Sequence, residues 1–201
     1  MDNLTSVLMQ SLGQGGLDMM AQKAGVQSNQ AASALEGIIP SILGGMAKNT
    51  REETGAGSLL NALDSDHDGS VLDDVAGFMG GGQADGMGAG ILKHVLGGNR
   101  SSVENGIGQK TGMSASQIGS LMNMVAPLIM GYLGKQRKQN PNTMSNSGIG
   151  SMLEGLTGAA DNGTGLDLGD VLDLVGAFSG NKSNSSGGGL LGGLLGKVLK
   201  G

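Results

Sequence analysis

The chain has 201 residues, of which 38% are hydrophobic and 1% aromatic, and it contains 41 glycines, 13 methionines and no cysteine. This length suits one large domain or two small ones, and the lack of cysteine excludes a disulfide framework, a thiolate metal site and a cysteine nucleophile. The net charge of −5 argues against a nucleic-acid partner, which needs a basic surface.

The composition favours helices over strands. With so few aromatic residues, the core must be built from Leu, Ile, Val, Ala and Met, and methionine fills irregular gaps between helices. No run alternates apolar and polar residues as a half-buried strand does. Glycine occurs at about three times its usual share. We therefore expect an all-α protein in which glycines interrupt short helices and let helices approach closely.

The amino-terminal residues do not resemble a secretion signal. The stretch MDNLTSVLMQSLG has no basic flank before its short apolar run. No segment approaches the roughly 20 consecutive apolar residues that cross a bilayer. From the sequence we expect a cytoplasmic protein.

An internal repeat organises the chain. Residues 22–48 and 109–135 align without a gap at a constant offset of 87. An internal repeat means that one helical unit is used twice. The residues shared by the two copies are Gln22/Gln109, Lys23/Lys110, Gly25/Gly112, Gln30/Gln117, Ser33/Ser120, Pro40/Pro127, Ile42/Ile129, Gly44/Gly131 and Lys48/Lys135.

Each copy has the three- and four-residue spacing of an amphipathic helix. The second helix has a start signal, since Ser114 and Gln117 fit a capping box, whereas Gln27 stands at the corresponding place in the first. Pro40 and Pro127 fall in the middle of the two patterns. Each proline either kinks its helix or divides it into a helix–loop–helix.

A second element also recurs, because VLDDVAGFMG at 71–80 resembles VLDLVGAFSG at 171–180. Short Leu-rich helices are expected before each, and Gly-rich linkers at 80–90 and 140–148. The sequence thus predicts a first helical repeat at 1–80, a second at 85–180, and a Ser/Gly linker with an amphipathic tail at 181–201. We expect the repeats to pack as a pseudo-symmetric all-α bundle of short kinked helices.

The segment from Asp64 resembles a calcium loop. Such loops place oxygen ligands at positions 1, 3 and 5, a glycine at position 6 for a sharp turn, and a backbone carbonyl at position 7. Asp64, Asp66 and Asp68 fill the first three ligand positions, Gly69 fills position 6 and Ser70 fills position 7. Three carboxylates so close together repel one another unless a cation lies between them, which is the physical reason to expect a metal.

The end of the loop departs from the pattern. Position 12, usually a bidentate Glu, is Val75. Asp73 and Asp74, at positions 10 and 11, are the candidates to complete a weaker shell, and we expect Asp74 to do so. The alternative is an Asp-rich turn whose carboxylates cap a helix that begins near Val71. The second copy, which reads Asp161-Asn162-Gly163, has lost the triad of aspartates.

The sequence offers little for catalysis. His67 and His94 do not form a pair at metal-ligand spacing, and neither GxSxG nor a phosphate-binding glycine loop occurs. We therefore expect a non-enzymatic protein that binds calcium and binds a protein partner or self-associates. One alternative is an enzyme that handles a small molecule between the two repeats.

The carboxy-terminal tail ends in the apolar stretch LLGGLLGKVLKG. Eleven helical residues reach only about 16 Å, too short to span a membrane. Such a segment docks on the protein's own helices, on another copy, or on a membrane surface. The last case makes a membrane-surface or envelope-associated scaffold a further alternative.

The residues also resemble a known family. The pattern GxxxxQAxxALxxxIPxILGxM from Gly25, followed by LLxALDxDHDGSVLDDVxGF from Leu59, is similar to the bacterial domain of unknown function 937, which is distantly similar to the YidB-like proteins. The resemblance covers most of residues 1–180, and its most specific part is DHDGSVLDD. It implies an all-helical bacterial protein and carries no established activity.

Overall fold

A computed structural model describes residues 4–65, 69–142, 144–146 and 148–158 of the chain. These residues form eight α-helices and two 3-10 helices, and no strand occurs among them, which confirms the all-α class. The α-helices are α1 (Leu4–Ala24), α2 (Ser28–Asn49), α3 (Glu53–Ser65), α4 (Val75–Gly80), α5 (Gln83–Val95), α6 (Arg100–Thr111), α7 (Ala115–Gln139) and α8 (Ile149–Gly158), and the 3-10 helices are Ser70–Leu72 and Gly97–Asn99. The predicted second element at 171–180 and the tail at 181–201 lie outside the described residues.

Two long helices form the centre of the molecule. α2 has 22 residues and α7 has 25, and both are buried around most of their circumference, as expected of helices that lie inside a bundle. They pack against each other, and the shorter helices surround them: α3 packs on α7, whereas α8 packs on α2. The fully buried side chains of the core include Leu35, Ile38, Ile42, Ile118, Leu121 and Leu133.

Both repeat prolines lie inside continuous helices. Pro40 is within α2 and Pro127 within α7, so the alternative that each proline divides its helix into a helix–loop–helix is wrong. Proline removes one backbone donor and crowds the preceding turn. In α2 the buried Ser41 hydroxyl donates to the Gly37 carbonyl at 2.7 Å, so this polar side chain next to the proline has a partner inside the core. Burial of the surrounding apolar faces keeps both helices intact.

The Gly-rich stretch expected to be a linker at 80–90 is mostly helix. α5 begins at Gln83, after Gly82 in a left-handed conformation with φ of 72°. Gly88 explains why glycine stands inside this helix: an added Cβ would lie 1.8 Å from the Asn123 carbonyl oxygen of α7. Glycine therefore provides close helix contact here, which stabilises α5 through packing despite its poor intrinsic helix propensity.

The aligned sequence copies occupy comparable parts of the fold. Residues 22–48 cover the end of α1 and nearly all of α2, and residues 109–135 cover the end of α6 and most of α7. The turn between the helices contains a left-handed glycine in each case, Gly25 with φ of 67° and Gly112 with φ of 72°. In both copies the chain therefore turns from one helix into the next at the same position of the repeat.

Gln117 joins the two copies. Its side-chain oxygen accepts from the Ser114 N–H at 2.9 Å and its amide nitrogen donates to the Gly25 carbonyl at 3.1 Å. The Ser114 hydroxyl accepts from the Gln117 N–H at 3.3 Å, which completes the predicted capping box. The first copy has the related bond from the Gln27 N–H to Gln30 at 3.1 Å.

Candidate functional site

The predicted calcium loop follows α3 and precedes α4. Asp66 and Asp68 lie outside the described residues, as does His67 between them. Asp64, Ser70 and Asp74 are described, and all three are exposed. The loop therefore joins two helices, as the sequence pattern requires.

Gly69 forms a sharp turn against α7. Its φ of 94° and ψ of −6° lie in the left-handed region, where glycine is strongly favoured over other residues. An added Cβ would meet the Lys135 Cβ at 3.0 Å and the Gly131 carbonyl oxygen at 3.2 Å. Position 69 therefore requires a glycine for two reasons: the backbone is left-handed there, and α7 leaves no room for a side chain.

A second glycine allows this close approach. An added Cβ at Gly131 would lie 2.3 Å from Val71 Cγ1. Val71 belongs to the 3-10 helix that begins at Ser70, and the Ser70 carbonyl accepts from the Asp73 N–H at 3.0 Å. The segment after the turn is thus fixed to α7 by packing and by its own hydrogen bonds.

Asp64 is bound by an arginine. Arg137, in the last turn of α7, donates from Nε to Asp64 Oδ1 at 3.2 Å and from Nη2 to Oδ2 at 3.3 Å. The Asp64 side chain is 51% exposed and that of Arg137 is 22% exposed. Arg137 Nη1 also donates to the Pro141 carbonyl at 3.0 Å and to the Met144 carbonyl. The first ligand of the predicted metal site is therefore tied to the turn that follows α7.

Asp74 caps α4. Its Oδ1 accepts from the Gly77 N–H at 2.8 Å, and an added Cβ at Gly77 would lie 2.1 Å from Asp74 Oδ2. This cap occupies one of the two carboxylate oxygens. It belongs to α4 and not to a helix beginning near Val71, where Gly69 precedes the 3-10 helix without a side-chain cap. Among the described residues, no three His, Asp or Glu side chains come together as a metal-binding group.

The structure adds an apolar groove that the sequence did not indicate. We call it the α3/α5 groove, because those helices form its walls. It encloses about 950 Å³, and Met46 and Met130 contribute to its lining from the buried core. Its walls include Leu59, Ala62, Met87, Ile91 and Val95.

Polar groups lie at one end of the groove. Asn49 donates from its side chain to the His94 carbonyl at 2.9 Å and the Val95 carbonyl at 3.2 Å, which caps the end of α5. His94 contacts the Gly90 carbonyl through Nδ1 at 2.9 Å, and Glu52 also lines the groove. These contacts hold α5 in position beside the end of α2.

No helix within the described ranges has the length and hydropathy required to cross a membrane.

Comparisons with known proteins place the chain in a family. No curated protein and no solved structure matches the chain. A family model described as a bacterial protein of unknown function, DUF937, matches residues 6–136. This match covers more than half of the sequence and includes α2, the acidic loop and nearly all of α7. The chain therefore belongs to the bacterial DUF937 family.

Proposed function

We propose that the protein is a non-enzymatic calcium-binding protein that holds one ion in the loop from Asp64 to Asp74. The observation that carries the proposal is the left-handed turn at Gly69, which lies at the position where a calcium loop needs a sharp turn. α3 leads into this turn, and the 3-10 helix and α4 lead out of it. The loop thus combines the required backbone turn with the acidic sequence pattern.

The ligand set suits a hard cation. Calcium takes 6–8 oxygen ligands at about 2.3–2.6 Å, from carboxylates, carbonyls and water. The proposed ligands are the carboxylates of Asp64, Asp66, Asp68 and Asp74 and the backbone carbonyl of Ser70. Because Val75 replaces the usual bidentate Glu, we expect a Kd of about 10⁻⁵ to 10⁻³ M.

Two of these carboxylates already have partners, which also lowers the expected affinity. Asp64 must exchange Arg137 for calcium, or share its oxygens between the two cations, and Asp74 must bind through the oxygen that does not cap α4. The ion must therefore compete with an ion pair and approach a helix cap. We infer that calcium binding loosens the contact between the end of α3 and the turn after α7.

Calorimetry with matched variants tests the site. The wild type should release or absorb heat on titration with calcium, and Asp66→Asn should abolish that heat. Asp73→Asn is the control, because it makes the same change of charge in the same loop at position 10, which is not a proposed ligand. Equal loss in both variants would mean that only the general negative charge matters.

Thermal unfolding provides the second readout. A ligand bound only by the folded state stabilises it by RT ln(1 + [L]/Kd), so the midpoint should rise with calcium concentration. The rise should be absent in Asp66→Asn and present in Asp73→Asn. If millimolar calcium produces neither heat nor a shift in the wild type, the loop is a capped turn and the proposal is wrong.

A second candidate function is the binding of an apolar helix, and the α3/α5 groove favours it. Grooves between helices recognise amphipathic helices through their apolar faces. Among the described residues, Met87 is the large hydrophobic side chain that lies exposed, at 38%, and it lines this groove. Substitution of Met87 by Ser should therefore weaken binding of such a helix without unfolding the bundle.

A further inference from the structure

We propose that residues 190–200 of this chain dock in the α3/α5 groove as an amphipathic helix. This inference is independent of calcium binding. It assigns an occupant to an apolar surface of the described bundle, and the occupant comes from the part of the chain that the structure does not describe.

The shape of the groove suits a helix. α5 lines it with Gly86, Met87 and Gly90, and an added Cβ at either glycine would meet nothing within 4 Å. These glycines leave space beside the exposed Met87 side chain, so the backbone of another helix can approach α5 closely. Two buried methionines at the lining provide a surface that adapts to the side chains placed on it.

The exposed apolar surface favours an occupant. Leu59, Ile91 and Val95 are only partly buried at the groove, and Met87 is exposed. Burial of apolar surface lowers the free energy of the bound state by about 25 cal/mol for each Å² removed from water. An apolar helix placed on these side chains would remove their remaining apolar area from water.

Residues 190–200 have a matching pattern. Their sequence is LLGGLLGKVLK. At 100° per residue, the six Leu and Val side chains fall on one half of a helix, and the glycines and both lysines fall on the other. The apolar half would face the groove and the lysines would remain in water. The members of the apolar half are Leu190, Leu191, Leu194, Leu195, Val198 and Leu199.

The tether is long enough to reach the groove. α8 begins close to the end of α2, since an added Cβ at Gly150 would lie 3.3 Å from Thr50 Oγ1. Thr50 follows Asn49, which lines the groove. The 31 residues at 159–189 separate α8 from the apolar segment. The tether leaves from the other end of α8, about 15 Å away for a helix of ten residues. A random coil of 31 residues has a root-mean-square length of about 30 Å, which covers that distance.

The tether and the charges favour the chain's own segment over other occupants. A segment on the same chain meets the groove at an effective concentration that falls with tether length from about 1 mM, still above that of a second copy in a micromolar solution. Lys197 and Lys200 give the segment a positive charge, whereas the whole chain has a net charge of −5 and Glu52 lines the groove. Attraction to the body of the protein therefore adds to burial of the apolar half.

Thiol labelling of the full chain tests the proposal directly. The sequence has no cysteine, so Met87→Cys introduces a single reporter in the groove. We expect this thiol to react at least tenfold faster when Leu194→Asp and Leu195→Asp are added. Gln109→Cys, on the exposed face of α6, is the control, and its rate should not depend on the tail.

A reciprocal pair keeps the test independent of the tail substitutions. In the full chain, Leu194→Cys should be protected, and Gly90→Leu should expose it by filling the groove. Gly57→Leu is the matched control, since an added Cβ there also meets nothing within 4 Å but Gly57 does not line the groove. Circular dichroism checks that each variant keeps its helical content.

Three results would overturn the proposal. In the first, the Met87→Cys thiol reacts at the same rate with the wild-type tail and with the Leu194→Asp, Leu195→Asp tail. In the second, protection of this thiol rises with protein concentration, which assigns the groove to the tail of a second copy. In the third, the protein floats with phosphatidylglycerol vesicles and Leu194→Cys is protected only when the vesicles are present.

Discussion

Arg137 contacts both carboxylate oxygens of Asp64 and thereby joins the last turn of α7 to the end of α3. The same guanidinium donates to two carbonyls in the turn that follows α7. One side chain therefore connects the proposed metal site, a central helix and the approach to α8. Any ligand that takes Asp64 must change this arrangement.

Removing the arginine should strengthen calcium binding. In Arg137→Gln, Asp64 no longer has a competing cation, and exposed ion pairs contribute about 0.2–1 kcal/mol, so we expect an affinity increase of up to about fivefold. Arg137→Lys keeps the charge and should give a smaller increase. Calorimetric titration measures both, and an unchanged or weaker affinity in Arg137→Gln would show that Asp64 is not a ligand.

The same variant should be less stable without calcium. Arg137→Gln also removes donors to the carbonyls of Pro141 and Met144, and hydrogen bonds made by charged groups contribute about 1.5–3 kcal/mol each when buried. Because this arginine is only partly buried, we expect a loss of about 1–2 kcal/mol in the free energy of unfolding. Urea denaturation in a chelating buffer measures it, and no loss would mean that these bonds do not stabilise the turn.

Two substitutions at Asp74 separate helix capping from metal binding. Asp74→Asn keeps a side-chain oxygen for the Gly77 N–H, so the stability without calcium should stay within about 0.5 kcal/mol of the wild type. Asp74→Ala loses the cap and should cost about 1 kcal/mol. Both should weaken calcium binding, because both remove a carboxylate. If Asp74→Asn binds calcium as the wild type does, then Asp74 is a cap alone.

Two glycines in α5 should respond in opposite directions to alanine. Gly88→Ala would place a Cβ 1.8 Å from the Asn123 carbonyl, which forces α5 away from α7, and we expect a loss of about 3 kcal/mol or more. Gly86→Ala meets open space on the same helix and should stabilise by about 0.5–1 kcal/mol. Chemical denaturation of both variants tests the contact, and equal effects would refute it.

Gln117 provides a test of the link between the two copies. Gln117→Glu keeps an acceptor for the Ser114 N–H but replaces the donor to the Gly25 carbonyl with another oxygen, so we expect a loss of about 1–2 kcal/mol. Gln30→Glu is the control at the corresponding position, where the described side-chain bond is accepted from Gln27. A carboxylate near a helix start is otherwise favourable. Equal stability of the two variants would contradict the proposed role of Gln117.

Local patterns in the sequence predicted much of this fold. The three- and four-residue spacing predicted α2 and α7, and the pair Ser114 and Gln117 predicted the start of α7, because these signals depend on neighbours within one turn. The suggested cap of a helix beginning near Val71 is not found, because Gly69 precedes the 3-10 helix there without a side-chain cap, and the aspartate cap lies instead at Asp74, before α4. Calcium binding and the internal duplication stay predictions.

Features that depend on distant partners could not be found in this way. The ion pair of Asp64 with Arg137 joins positions 73 residues apart, and no spacing rule connects them. The sequence indicated a short helix at 91–96 but not the first part of α5, because glycine usually indicates a linker, whereas here Gly88 fits a backbone contact with α7. The groove exists only because α3 and α5 flank the central helices, which is a property of the packing and not of either segment.

Because Gly69 contacts Gly131 of α7, the conformation of the acidic loop depends on the rest of the bundle. The turn lies against the backbone of α7, where Gly131 has no side chain that would hold it away. A synthetic peptide of residues 59–80 would contain every proposed oxygen ligand but would lack the surface that supports its turn. We expect such a peptide to bind calcium far more weakly than the whole protein, so the site belongs to the bundle and cannot be transplanted as a self-sufficient motif.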